Sequence, residues 1–249
     1  MKWTVRVLGD RWVLDQLVAA FQGQEDAPLE RSGEEVYLQA TDWDEFTEFN
    51  HVLDAAEARL RQLVGAARLV LGPRVAVTAG AALCHDEDGH TTQFVRLSDS
   101  LGLSDRIHDI VGIDELHTVV SQYTPSSLIP SWIRATASND TARQVLELIG
   151  GDKPLDFRAL FNVYELIQSA VGNIAKTLDV NQELLDRFTR TTNSPKTIGV
   201  GEARHGYIPN DQMAPRPLPF SDAQALIFRI VARWLDEENR AHPQPPESR

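Results

Sequence analysis

An arginine beside a histidine can stabilise a developing negative charge and move a proton near neutral pH, and Arg204-His205 is such a pair. It sits in TRTTNSPKTIGVGEARHGYIPNDQMAPRPLPF, Thr189 to Phe220, with Glu202 just before it and Arg187, Arg190 and Asn193 upstream. Helix-to-helix links commonly run ~2 to 8 residues, so this stretch is more than a simple turn. Gly199, Gly201 and Gly206 permit left-handed or closely approaching backbone, and Pro215, Pro217 and Pro219 stiffen the exit. The residue types fit phosphodiester cleavage without a metal, with His205 as general acid or base. They also fit an ordered connector in which Arg204 pairs with Glu202 and His205 bonds a backbone carbonyl.

A second group lies in CHDEDGH, Cys84 to His90. A two-residue turn at Asp88-Gly89 pairs Glu87 with His90 and His85 with Thr92, which puts His85, Glu87 and His90 on one face of a ribbon. Two imidazoles and a carboxylate can hold a transition metal, but no second ligand cluster accompanies them. The preferred reading is an acidic tip that keeps a sheet soluble, so no metal and no cofactor are assigned. There is no phosphate-binding Gly-rich loop, no cysteine pair, no zincin helix and no nucleophile elbow. Cys84 continues an apolar strand and reads as a small core residue. Trp43, Phe46 and Phe49 have Asp44, Glu45 and Glu48 as neighbours, which fits core packing rather than a base-stacking platform.

The elements that must position these residues follow from hydrophobic period. KWTVRVLG alternates as a strand, RWVLDQLVAAF has helical spacing, and after the polar loop QGQEDAPLERSGEE the segment VYLQA reads as a second strand. Asp42 and Glu45 have the spacing of a capping box ahead of a long helix carrying Phe46, Phe49, Val52, Leu53, Ala56, Leu60, Leu63 and Val64 on one stripe. The hairpin follows. From Ser98 to Ser138 the pattern weakens to helical fragments with a break at TPSSLIPSW. Helices then start at Ser138 or Asn139, at Asp156 and at Ser221, and a shorter one lies at NQELLDRFTRT. Phe157, Leu160, Phe161, Tyr164, Ile167 and Val171 make one face; Ala225, Leu226, Ile230, Val231 and Trp234 make another.

The fold class is therefore α+β: a small N-terminal α/β domain with a β-hairpin over 1–98, a linker with helical fragments over 99–137, an all-helical C-terminal bundle over 138–238, and a Pro-rich disordered tail over 239–249. The 249 residues are 42% hydrophobic and 24% charged, enough for a real core. A net charge of -12 argues against coating duplex DNA or an anionic membrane. No apolar run approaches the ~20 residues of a membrane span. With one cysteine and a strand pattern at the start, a cytoplasmic location is the expectation.

The segments FRALFNVYELIQSAVG, FTRTTNSPKTIGVGEARHG and PLPFSDAQALIFRIVARWL resemble the C-terminal part of a group of uncharacterised bacterial proteins and, more loosely, the HEPN superfamily with its abortive-infection relatives. The resemblance implies a helical domain in which an arginine and a histidine cleave RNA without metal, often across a dimer, or a non-catalytic descendant that binds partners. It assigns His205 to proton transfer, Arg204 or Arg190 to the phosphate, Asn193 to positioning and Glu165 to orienting the histidine. The tight Arg-to-His spacing of active members is absent, because Thr192 precedes Asn193. The expectation is a non-catalytic accessory or interaction factor in a phage-defence or toxin system, with a protein partner or a second copy bound, and an RNase as the alternative.

Overall fold

The computed structural model describes residues 2–24, 27–88, 90–96, 125–204 and 214–241. In β1 (Lys2–Gly9) the alternation holds: Trp3, Val5 and Val7 are buried while Lys2, Arg6 and Leu8 are exposed. The Asp10 carboxylate then accepts the amides of Trp12 and Val13 and starts α1 (Arg11–Ala20). β2 (Leu29–Ser32) and β3 (Glu35–Gln39) form a tight hairpin that turns at Gly33, whose φ of 62° suits glycine. A 3₁₀ turn at Thr41–Glu45 leads to α2 (Phe49–Leu71), and β4 (Val77–His85) and β5 (Thr91–Phe94) complete the sheet.

The strand order is β2-β3-β1-β4-β5, with every neighbouring pair antiparallel. Elements β1 to β4 thus make a split βαββαβ unit of the ferredoxin-like kind, with β1 between β3 and β4 and with β5 added at one edge. Trp3, Val5, Val7, Val36, Leu38 and Ala82 form its covered face. This arrangement hosts unrelated functions and assigns none.

The second part is helical: α3 (Pro125–Ser138), α4 (Asp140–Ile149), α5 (Phe157–Val171), α6 (Ile174–Thr177), α7 (Gln182–Thr192), α8 (Pro195–Ile198) and α9 (Phe220–Ala241). Asn139, Asp156, Asn173 and Asn181 each cap the following helix by accepting an amide in its first turn. The α+β organisation, sheet first and helices after, is as the sequence implies. No helix among the described residues is long and apolar enough to cross a membrane.

α2 belongs to both parts. Val52, Ala56 and Leu60 are fully enclosed, and further along the helix packs on α4 with the backbones in contact. A Cβ on Gly65 would lie 2.1 Å from the Leu146 carbonyl oxygen, and one on Gly150 would lie 1.8 Å from the Arg61 carbonyl oxygen. Only hydrogen fits at either place. Arg68 closes the same seam, donating to the carbonyls of Val75, Ile149 and Gly151; burial lowers its pKa. Trp132 Nε1 to Asp236 and Asn139 Nδ2 to Glu238 then tie α3 and its end to α9. One continuous apolar core runs from Trp3 to Leu235.

Several expectations change. The loop after α1 contains β2, whose LERS sequence is too short and polar to signal a strand but pairs fully with β3. Asp42 and Glu45 fall in the 3₁₀ turn and do not cap α2; Glu48 holds the N-cap position without a side-chain bond. The β4–β5 register is His85 with Thr91, closed by Asp86 N–H to the His90 carbonyl, so the loop is longer than two residues and the predicted face of His85, Glu87 and His90 does not form. The break at TPSSLIPSW is a continuous helix from Pro125, in which burial of Ile129 and Trp132 offsets the amide missing at Pro130. On α9 the buried face includes Ala223 and Ile227, while Ala225 is exposed. Residues 239–241, expected in the tail, are the last turn of α9, while the boundary at 98, the linker up to 124 and the rest of the tail fall outside the described residues.

Candidate functional site

α7 starts on Asn181 and presses Leu185 and Phe188 against α5. Phe161 and Tyr164 of α5 meet Phe188 at ring-centroid distances of 6.2 and 5.7 Å, which makes an aromatic wedge under the end of α7. Burial, reinforced by Asp186 and Glu165, pushes the Tyr164 phenol above its ordinary range.

Beyond the wedge the chain is held by polar contacts. Thr191 and Thr192 are fully buried, and each hydroxyl returns a bond to its own helix, at the carbonyls of Arg187 and Phe188. The Thr191 hydroxyl also accepts the Leu218 amide at 2.9 Å, and the Thr192 carbonyl accepts the Arg204 amide at 3.0 Å. Gly199, at φ 90°, ends α8 and lets its carbonyl receive the Ala203 amide. Thr197 accepts the Ala214 amide, and Arg187 Nε donates to the Arg216 carbonyl. Both ends of the stretch between Arg204 and Ala214 are therefore fixed to α7 and α8.

Of the expected site residues, two meet. The Arg204 guanidinium donates to Glu165 at 2.6 Å and lies 4.7 Å from the centre of the Phe161 ring. The pairing expected with Glu202 is replaced by this longer-range one. Arg158, one turn before, donates to the Ala203 carbonyl at 3.2 Å. Arg190 is exposed on α7 and has no ion pair among the described residues. Asn193 ends α7 as its C-cap, and its Oδ1 is buried with no hydrogen-bond partner. His205 lies outside the described residues. Phe161, read in the sequence only as part of an apolar helix face, and Arg158, not singled out there, complete the arrangement; the signal for both is helical period, which places positions 158, 161 and 165 along one side of α5.

At the hairpin, Asp86, Asp88 and His90 are exposed and have ligand atoms within 4.8 Å of one another, while His85 faces away and contacts Thr4 and Thr91. Exposed acidic groups of this kind are ordinary at a hairpin tip. Cys84 is half-buried rather than enclosed.

Comparisons with protein-family models, with curated proteins and with solved structures each found no match to the chain.

Proposed function

We propose that this chain is a non-catalytic accessory factor that works by binding another protein, in a bacterial defence or toxin system of the kind implied by its resemblance to HEPN-like domains. The observation that supports this reading is the engagement of Arg204. Its charge is matched by Glu165 and its flat face covers Phe161, so the guanidinium serves as a brace between α5 and the connection. Glu165, in turn, is occupied by an arginine. Such a brace holds a surface in shape for a partner.

The RNase reading keeps one observation in its favour: the connection is locally basic in an acidic chain, with Arg190, Lys196, Arg204 and Arg216 against Glu202 and Asp211, and His205 follows Arg204 directly. The two readings separate in one assay. Purified protein and its His205→Ala variant are incubated with total RNA and with tRNA in EDTA. The interaction reading expects no cleavage by either, together with a protein that co-purifies in fixed ratio with the tagged chain from its native host. Cleavage by the parent alone would overturn it.

A further inference from the structure

A hollow of about 340 Å³ opens where the sheet meets the start of α2, lined by Trp3, Cys84 and Phe94 from the covered face and by Thr47, Glu48, Phe49 and Asn50 from the helix start. Its aromatic wall is continuous. Phe49 and Phe94 stack at 5.1 Å with planes 13° apart, and Trp3 packs on Phe94 at 5.6 Å while its Nε1 donates to the Phe46 carbonyl. Glu48 lines the same hollow, is exposed, and its side chain neither bonds the first turn of α2 nor enters an ion pair among the described residues.

The charge along the segment that leads into α2 has one sign. From Thr41 to Asn50 there are four carboxylates, Asp42, Asp44, Glu45 and Glu48, and no cation. Arg96, which reaches the Asn50 carbonyl, is already paired with Asp54 and Glu57. An aromatic wall facing a free carboxylate attracts an organic cation, since ring quadrupole and carboxylate act in the same direction. The volume lies in the range of small-ligand pockets and accommodates an extended alkyl stem.

We propose that this hollow is a docking site for a lysine or arginine side chain carried on an extended segment of a partner protein, the stem against Phe49 and Phe94 and the charged head at Glu48. The site is separate from the Arg204 connection and stands whether or not that connection cuts RNA.

The test uses the full chain and fluorescein-labelled peptides of alternating glycine and lysine, with arginine and glutamate counterparts, followed by fluorescence anisotropy. Saturable binding of the lysine or arginine peptide, none of the glutamate peptide, and weakening by salt are expected. Glu48→Gln and Phe49→Leu should each weaken binding about tenfold, while Glu183→Gln, a charge removed from the exposed start of α7, leaves it unchanged. Absence of saturable binding overturns the proposal. So does equal weakening by Glu183→Gln, which would mean attraction to diffuse charge. If Phe49→Leu fails to fold by circular dichroism, Glu48→Gln decides, because it alters an exposed side chain without bonds to the described residues.

Discussion

At the seam of α2 and α4 two backbones touch through Gly65 and Gly150, whereas from α7 to α9 the backbone is held by hydroxyls, carbonyls and one exposed ion pair. Both regions join segments far apart in the chain. The seam does so by excluding every atom but hydrogen, so its stability depends on contact that no side chain can restore. The connection divides the same task among many polar bonds, each worth little alone. A seam of the first kind fails at one position; a brace of the second kind degrades gradually.

The largest effect should come from Gly150→Ala. Gly150 has an ordinary φ of -85°, so the added methyl strains nothing locally and acts through its collision with the α2 backbone at Arg61 and Gly65. A loss of about 3 kcal/mol is expected in urea denaturation, and Gly65→Ala should behave similarly without adding to it. A loss below about 1 kcal/mol would mean that the helices can part, and the comparison would break.

A smaller effect is expected from the brace. Arg204 and Glu165 are each about two-fifths exposed, with side-chain accessibilities of 41% and 43%. Solvent screens such a pair, and removing either partner should cost about 1 kcal/mol or less, with a coupling of similar size in a double-mutant cycle. A coupling well above that would make the ion pair, rather than the backbone bonds at Thr191 and Thr192, the main fastening.

The smallest effect at neutral pH belongs to Tyr164→Phe beneath the connection. The folded Tyr164 pKa is raised, so its contribution is fully present below the unfolded value of about 10 and is lost as pH rises through the folded value. Melting curves should coincide at pH 8. In more alkaline buffer the variant should keep stability that the parent loses.

Legibility in the sequence followed the range of the cause. The alternation of Trp3, Val5 and Val7 and the caps at Asn139 and Asp156 are local facts, and they predict β1, α4 and α5. LERS becomes a strand only because β3 lies beside it, and the hairpin register depends on Asp86 closing on His90. Gly65 reads in sequence as a weak helix former, and only the approach of Leu146 explains it. Within the candidate site, Arg204 was legible by residue type. Its partners Glu165 and Phe161 were not paired with it, since the fold rather than the spacing brings α5 under the connection.

The split sheet also sets an order in time. Val5 pairs with Leu38 on one side and with Ala82 on the other, so β1 cannot complete its ladder until α2 has been synthesised and has crossed the sheet. Until then Trp3, Val5 and Val7 lack their final cover. Such long-range pairing slows folding and prolongs the time in which the apolar face of this central strand stays open to contacts with other chains.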